Sequence, residues 1–269
     1  MSVATFIPTL WAARLIQHLD NALVARSFFN EDYSGEIRDM GDTVRINQIG
    51  NISISPYIRN QDMAPPEELA TAAQDLVIDQ AQAFNFQVDD VDYVQMRTSL
   101  MDAAMQRSAF SLAETEDTFL FGLLDAATPA ANRIAAGASA DELYEALVEL
   151  RRIMSENNVP FAGRRAAMPP LAIARLLNDD RFVATGGTNA EGRLISGLVG
   201  RAASFDIYEV NTTPNGAIIA GHPLASTFAS QIVKTEAYRL ERRFADGVKG
   251  LSVYGARVLV PTALAVATI

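Results

Sequence analysis

Cysteine is absent from this chain of 269 residues, which removes disulfides, thiol nucleophiles and thiolate metal sites together. Histidine is nearly absent. His18 and His222 are too few and too far apart in sequence for a His-rich metal cluster. Of 22 basic residues only Lys234 and Lys249 are lysines, so arginine carries the positive charge, and its planar fork suits ion pairs between subunits. Positive charge is itself in deficit: 32 acidic residues leave a net charge of −10, with a pI near 4.7. A protein whose main task is gripping nucleic acid needs a net basic face, so that class is disfavoured. No stretch reaches the roughly 18 to 20 unbroken apolar residues of a membrane span. Met1–Leu10 lacks the basic-then-apolar order of a secretion signal, so a soluble protein made inside the cell is expected.

What is present is patterned. Pro8 to Arg26 carries Trp11, Leu15, Leu19 and Leu23 at i, i+4 spacing, one face of a helix with nothing local to pack on. From Gly41 the period changes to two. Val44 and Ile46 form one run and Ile52, Ile54 and Ile58 a second, with Gly50-Asn51 as the expected turn between them. Asn60 to Gln74, with Pro65-Pro66, reads as a loop before alternation resumes at Leu76, Ile78, Phe84, Phe86 and Val88. This block has long strands and few core-sized residues, so it reads as an extended two-sided ribbon that needs a partner surface.

Asp89, Asp90 and Asp92 then place carboxylates at a helix start, where the dipole favours them. Val91, Val94, Thr98, Met101, Met105, Ser108, Leu112, Thr115 and Phe119 follow in strict 3–4 alternation. That predicts one helix of roughly 36 residues, about 54 Å long at 1.5 Å per residue. Polar Thr98, Ser108 and Thr115 in the seam, with Leu100, Phe110 and Leu120 pointing elsewhere, favour packing along a sheet over a coiled coil. Thr128 to Ala138 reads as a linker and domain boundary. Ser139-Ala140-Asp141-Glu142 is a capping box opening a helix with Leu143, Leu147, Leu150 and Met154 on one face. Pro169-Pro170 begins another helix through Leu177, and 186–200 reads as a glycine-rich loop. Strands are expected at Phe205–Val210, Ala217–Ala220, Phe228–Val233, Tyr238–Phe244 and Val248–Val260.

No catalytic set emerges. The loop Gly186 to Arg193 lacks the Gly-Lys-Ser/Thr ending of a phosphate-binding loop, and Glu191 would repel a phosphate. Asp89, Asp90 and Asp92 are explained by the helix terminus without a metal. His222 has no sequence-local serine or acid signature beside it, so it reads as a turn histidine. The pairs Arg151-Arg152, Arg164-Arg165 and Arg242-Arg243 suit interface ion pairs. No catalytic, cofactor-binding or metal site is assigned.

Four phrases in order carry a resemblance: Thr5-Phe6-Ile7-Pro8-Thr9-Leu10-Trp11, Gly41-Asp42-Thr43-Val44-Arg45-Ile46, Phe84-Asn85-Phe86-Gln87-Val88-Asp89-Asp90 before a long helix, and Gly250-Leu251-Ser252-Val253-Tyr254-Gly255-Ala256-Arg257-Val258 near the end. The chain resembles the major capsid proteins of tailed bacteriophages, of the Hong Kong 97 type. The resemblance implies an α+β fold with an N-terminal arm (1–33), an extended E-loop hairpin (34–88) and a long spine helix in a peripheral domain (89–136). It further implies an axial domain (137–222), then return strands of the peripheral domain and the C-terminus (223–269). The implied function is structural: self-assembly through hexamers and pentamers into an icosahedral shell around double-stranded DNA, which is enclosed without specific recognition. The resemblance also implies a virion location, assembly in the host bacterial cytoplasm, a portal, no membrane and no cofactor. Because the arm opens at once, either a separate scaffolding protein or none is implied, and a separate one is expected. Some relatives join subunits through an E-loop lysine, but residues 34–88 contain Arg38, Arg45 and Arg59 and no lysine, so a non-covalent shell is expected. The alternatives are an encapsulin-type compartment shell and, from a different class, a small acidic α+β metal-dependent enzyme. An enzyme of 29.1 kDa would elute as a small species.

Overall fold

The computed structural model describes residues 24–32, 41, 43–49, 54, 56–57, 59–60, 62, 71–89, 99–137, 139–178, 198–240 and 244–269. Among these, the strands fall into three sheets.

The alternation at Val44 and Ile46 forms β1 (Thr43–Ile49), but its partner differs from the expected Ile52–Ile58 run. β1 pairs antiparallel with β2 (Thr71–Val77), in register from Thr43↔Val77 to Ile49↔Thr71. The reason is the shared apolar face. Val44 lies opposite Leu76, and these two with Ile46 and Ile78 are buried over Ala229 and Val253. Residues Thr71 to Gln74, expected as the end of a loop, are therefore strand. Ile54, Pro56 and Tyr57 are not in a strand, and the expected Gly50-Asn51 turn lies outside the described residues.

β3 (Gln80–Asp89) is the second departure. The ribbon reading takes in residues up to 88, yet β3 is an outer strand of the sheet β3-β10-β9, formed with β9 (Ser226–Arg239) and β10 (Ala245–Val258). Phe84 and Phe86 pack there with Met105, Ala109 and Val248, which gives this part of the ribbon a core of its own. β9 is one strand where two were expected. The base of the β1–β2 ribbon crosses β10 at Gly255, where an added Cβ would lie 2.3 Å from the Val77 carbonyl oxygen and 3.0 Å from Ile78 Cα.

The described part of the long helix is α1, Ser99–Ala127, and the expected positions from Val91 to Thr98 lie outside the described residues. Its buried face runs through Met105, Ala109, Leu112, Ala113, Glu116, Asp117, Leu120, Phe121 and Leu124. Thr115, expected in the seam, is exposed, whereas Leu120, expected off it, is buried. A strict 3–4 repeat drifts about 20° per heptad around a straight helix, and by Thr115 it has left the packed face.

The capping box is formed: Ser139 accepts from the Glu142 N–H, and the Glu142 carboxylate takes the Ser139 N–H. It opens α2 (Ala140–Glu156), whose Leu143, Leu147, Leu150 and Met154 are all buried. Pro169 caps the short α3 (Pro170–Leu176), which packs on α2. Both belong with a mixed sheet of β4 (Arg133–Ala135), β11 (Ala265–Thr268), β8 (Ile218–Gly221), β5 (Arg165–Met168), β7 (Phe205–Glu209) and β6 (Leu198–Ala202), in that order. β4 corrects one expectation, since the Thr128–Ala138 linker contains a strand, and the C-terminal β11 joins β4 and β8. Parallel pairing of β11 with β4 carries the chain's end back across that boundary.

Two glycine substitutions should separate close approach from helix propensity. Gly255→Ala puts a methyl against backbone atoms and should cost about 1–3 kcal/mol. Gly122→Ala, with nothing within 4 Å of the new carbon, should gain about 0.5–1 kcal/mol inside α1. Urea unfolding of the two variants, read by circular dichroism, checks the opposite signs.

Candidate assembly surfaces

Residues 24–30 enter the fold as a short root. The 3₁₀ turn Ala25–Phe28 buries Ala25 and Phe28, and Phe29 is buried just beyond it. Phe28 packs edge-on against Phe121 of α1 and Tyr208 of β7, at ring centroids 5.6 and 5.9 Å apart, and Phe29 packs against Phe228 of β9. Asn30 then bridges to Thr227, with its N–H donating to the Ser226 carbonyl. One short segment thus touches the long helix and both larger sheets.

The opening N–H groups of this turn have no cap from their own segment. Asp117 supplies it from α1: Oδ1 accepts from the Ala25 N–H at 3.1 Å and Oδ2 from the Val24 N–H at 3.2 Å. Beside it, Glu116 Oε1 lies 3.5 Å from Arg26 Nη2, which also donates to Ser230 Oγ at 2.8 Å. Burial pushes Glu116 up to about 7, against the pull of Arg26, and raises Asp117 to about 6, against the hydrogen bonds from Val24 and Ala25. Sequence reading missed both. The signal was present: Leu112 and Leu120 flank Glu116 at i±4, and Ala113 and Phe121 flank Asp117, which places two carboxylates on an apolar stripe.

Other singled-out residues divide between scaffold and surface. His222 is a structural pin: its Nδ1 accepts the Leu224 N–H at 3.1 Å, so Nε2 carries the proton and reaches the Ala162 carbonyl at 2.9 Å. Arg164, expected at an interface, is buried in its own subunit. Its Nε donates to the Pro160 carbonyl at 2.9 Å and Nη1 to Ser155 Oγ at 3.1 Å, Nη2 bonds the Val159 carbonyl, and the plane lies 4.5 Å from the Phe161 centroid. The segment after α2 presents the Val159 and Pro160 carbonyls inward, and an arginine fork meets both at once. Arg152, by contrast, sits exposed between Glu149 and Glu156. Asp89 ends β3, while Asp90, Asp92, the loop Gly186–Arg193 and Arg242-Arg243 lie outside the described residues. Among the described residues no group of three or more acidic or histidine side chains is placed to hold a metal, and no helix is long and apolar enough to cross a membrane.

Several large apolar side chains of the described residues are exposed. Ile54 is 95% and Tyr57 73% exposed beyond the ribbon's paired base, and Phe244 is 79% exposed.

The sequence model of the phage capsid protein family matches residues 66–268. The chain belongs to that family. It is therefore a structural protein of the virion, made to assemble with copies of itself into a shell, and not an enzyme. The fold is of the Hong Kong 97 type. A solved structure from Mycobacterium phage Che8 is similar at a TM-score of 0.72 and 25% identity, covering 91% of this chain and 90% of that one. The capsid structure of cyanophage P-SCSP1u gives 0.68 at 18% identity, covering 86% and 84%. A virus-like particle from Pyrococcus furiosus gives 0.63 at 12% identity, covering 97% and 99%, so the same fold also serves there. The family match and the more similar structures favour a phage capsid over an encapsulin-type compartment. No curated protein matches by sequence.

Arg164 and Arg152 should respond oppositely to the same change. Arg164→Lys cannot reproduce a buried fork and should cost about 2–4 kcal/mol, whereas Arg152→Lys should stay within about 0.5 kcal/mol. Thermal unfolding of both variants at one pH checks it.

Proposed function

We propose that the subunit builds hexamers and pentamers of an icosahedral tailed-phage shell by laying its ribbon over a neighbour. The observation that carries this is the ribbon's split character. Its base, Val44, Ile46, Leu76 and Ile78, is buried in its own subunit, while Ile54 and Tyr57 are left to solvent. In this reading the segment before residue 24 is the arm, β1 and β2 with the residues between them are the E-loop, α1 is the spine, and β3, β9 and β10 complete the peripheral domain. The six-stranded sheet with α2 and α3 is the axial domain, whose loops meet at the fivefold and sixfold axes. The further partners implied by the resemblance to tailed-phage capsid proteins are a separate scaffolding protein, a portal and double-stranded DNA. Assembly takes place in the host bacterial cytoplasm. A net charge of −10 supports enclosure of DNA without specific binding.

The shell in this reading is held by non-covalent contacts. Residues 34–88 contain no lysine, and Lys249 is occupied 3.0 Å from Glu236 Oε2 on the sheet face. Particles boiled in detergent should run as one band near the subunit mass of 29.1 kDa; a ladder of pentamers and hexamers would contradict this.

The register suggests a direct test of the ribbon. Ile49 is paired with Thr71, so residues 50–70 can be replaced by Asn-Gly, closing β1 and β2 with a two-residue turn. The shortened chain should keep wild-type helical circular dichroism and lose particles on size exclusion. Retained particles would show that assembly does not need the ribbon.

A further inference from the structure

The turn between α2 and β5 presents its largest side chain outward. Phe161 is 61% exposed, and the buried Arg164 guanidinium lies 4.5 Å from its ring centroid. A second turn stands beside it. His222 Nε2 donates to the Ala162 carbonyl, and its Nδ1 accepts the N–H of Leu224, whose side chain is 58% exposed. One imidazole thus ties together the two turns that carry these apolar side chains. The arginines of this corner have no acid. Arg164 is met by carbonyls, and Arg151, whose own carbonyl lies 3.4 Å from Arg164 Nη1, is exposed with no side-chain partner among the described residues. Arg165 Nε is buried without an acceptor, and Asp206, opposite it in the β5–β7 register, pairs with Arg201 at 2.7 Å.

The outer face of α2 carries the opposite chemistry. Val148 is exposed there, with Glu145 one turn before it on the same side. Glu145 is exposed and unpaired among the described residues. The other acids of α2 are taken: Glu142 closes the capping box, Glu149 and Glu156 hold Arg152, and Asp141 is engaged. The helix dipole accounts for neither Glu145 nor Arg151, since Glu145 lies beyond the first turn and the last turn has no basic residue. We propose that the Phe161–Leu224 corner, with Arg151, docks on the Glu145–Val148 face of α2 in a second copy of the chain. The two patches differ and belong to one subunit, which is the condition for a heterologous contact that closes into a ring. An apolar corner with an unanswered guanidinium is complementary to an apolar side chain beside a free carboxylate, and a chain of net charge −10 brings acidic surface with every copy. The inference needs the chain to assemble with its own copies, but it does not depend on where the ribbon lies.

Exchanging the charges tests the contact on the full-length protein. Arg151→Glu sets carboxylate against carboxylate across it, and Glu145→Arg sets guanidinium against guanidinium. Because the contact recurs at every copy around an axis, each variant should lower the yield of assembled species on size exclusion by about tenfold or more. The double variant should recover to within about twofold of the wild type, and so should a one-to-one mixture of the two single variants, in which alternating copies restore opposite charges. Both positions are exposed, so helical circular dichroism and thermal midpoints should match the wild type throughout. Arg151→Gln and Glu145→Gln, which remove charge without reversing it, should each lower the yield by about threefold and carry the test if a reversal fails to fold. Single variants that assemble as the wild type does would overturn the proposal. A double variant that stays unassembled would also overturn it, leaving the corner to another partner such as a scaffolding protein or nucleic acid. Either failure would leave the ribbon reading standing, since residues 50–70 are untouched.

Discussion

The ribbon cannot bury its own far end. Two strands in isolation have one face at most to share, and here that face is used up at the base, where Val44, Ile46, Leu76 and Ile78 meet Ala229 and Val253. Beyond Ile49 and Thr71 the apolar side chains Ile54 and Tyr57 stand in solvent. β3 continues from the ribbon into the sheet with β10 and β9, and Gly255 lets the Val77 carbonyl lie directly on β10. The single subunit therefore exposes apolar side chains that another copy can cover.

The second organising feature lies within the subunit. Phe28 and Phe29 join α1, the six-stranded sheet and β9 into one core, and Asp117 caps the turn that carries them. Carboxylates inside a core normally cost more than they return unless their charge is met. Here Asp117 satisfies two backbone donors, and the Arg26 guanidinium stands 3.5 Å from Glu116. Arg164 shows the converse solution, a buried cation met by backbone carbonyls of the segment after α2 instead of by an acid.

Local chemistry was legible in the sequence wherever a short motif decides structure. The Ser139–Glu142 box, the α2 stripe and the Pro169-Pro170 start are all realised. Pairing was not legible, because strand partners are chosen by a shared buried face that spacing alone does not reveal: β1 takes β2 across more than twenty intervening residues. β4, β5, β6 and β11 were missed because each is short and sits among small residues such as Ala135, Ala166, Ala202 and Ala267, which give no alternation. The β6–β7 hairpin turns on Ala203-Ser204, both at positive φ, with no Asn-Gly to announce it. On α1 the 3–4 repeat was followed past the point where a straight helix rotates away from it. That hid Glu116 and Asp117.

The central claim is that the apolar far end of the ribbon is covered by another copy of the chain. An electron cryomicroscopy reconstruction of assembled particles, at a resolution that places side chains, measures this directly. The account predicts that Ile54 and Tyr57, exposed in the single subunit, are buried against a neighbouring subunit, with β1 and β2 still paired as they are here. A reconstruction in which those two side chains remained in solvent, or folded back onto their own subunit, would contradict it.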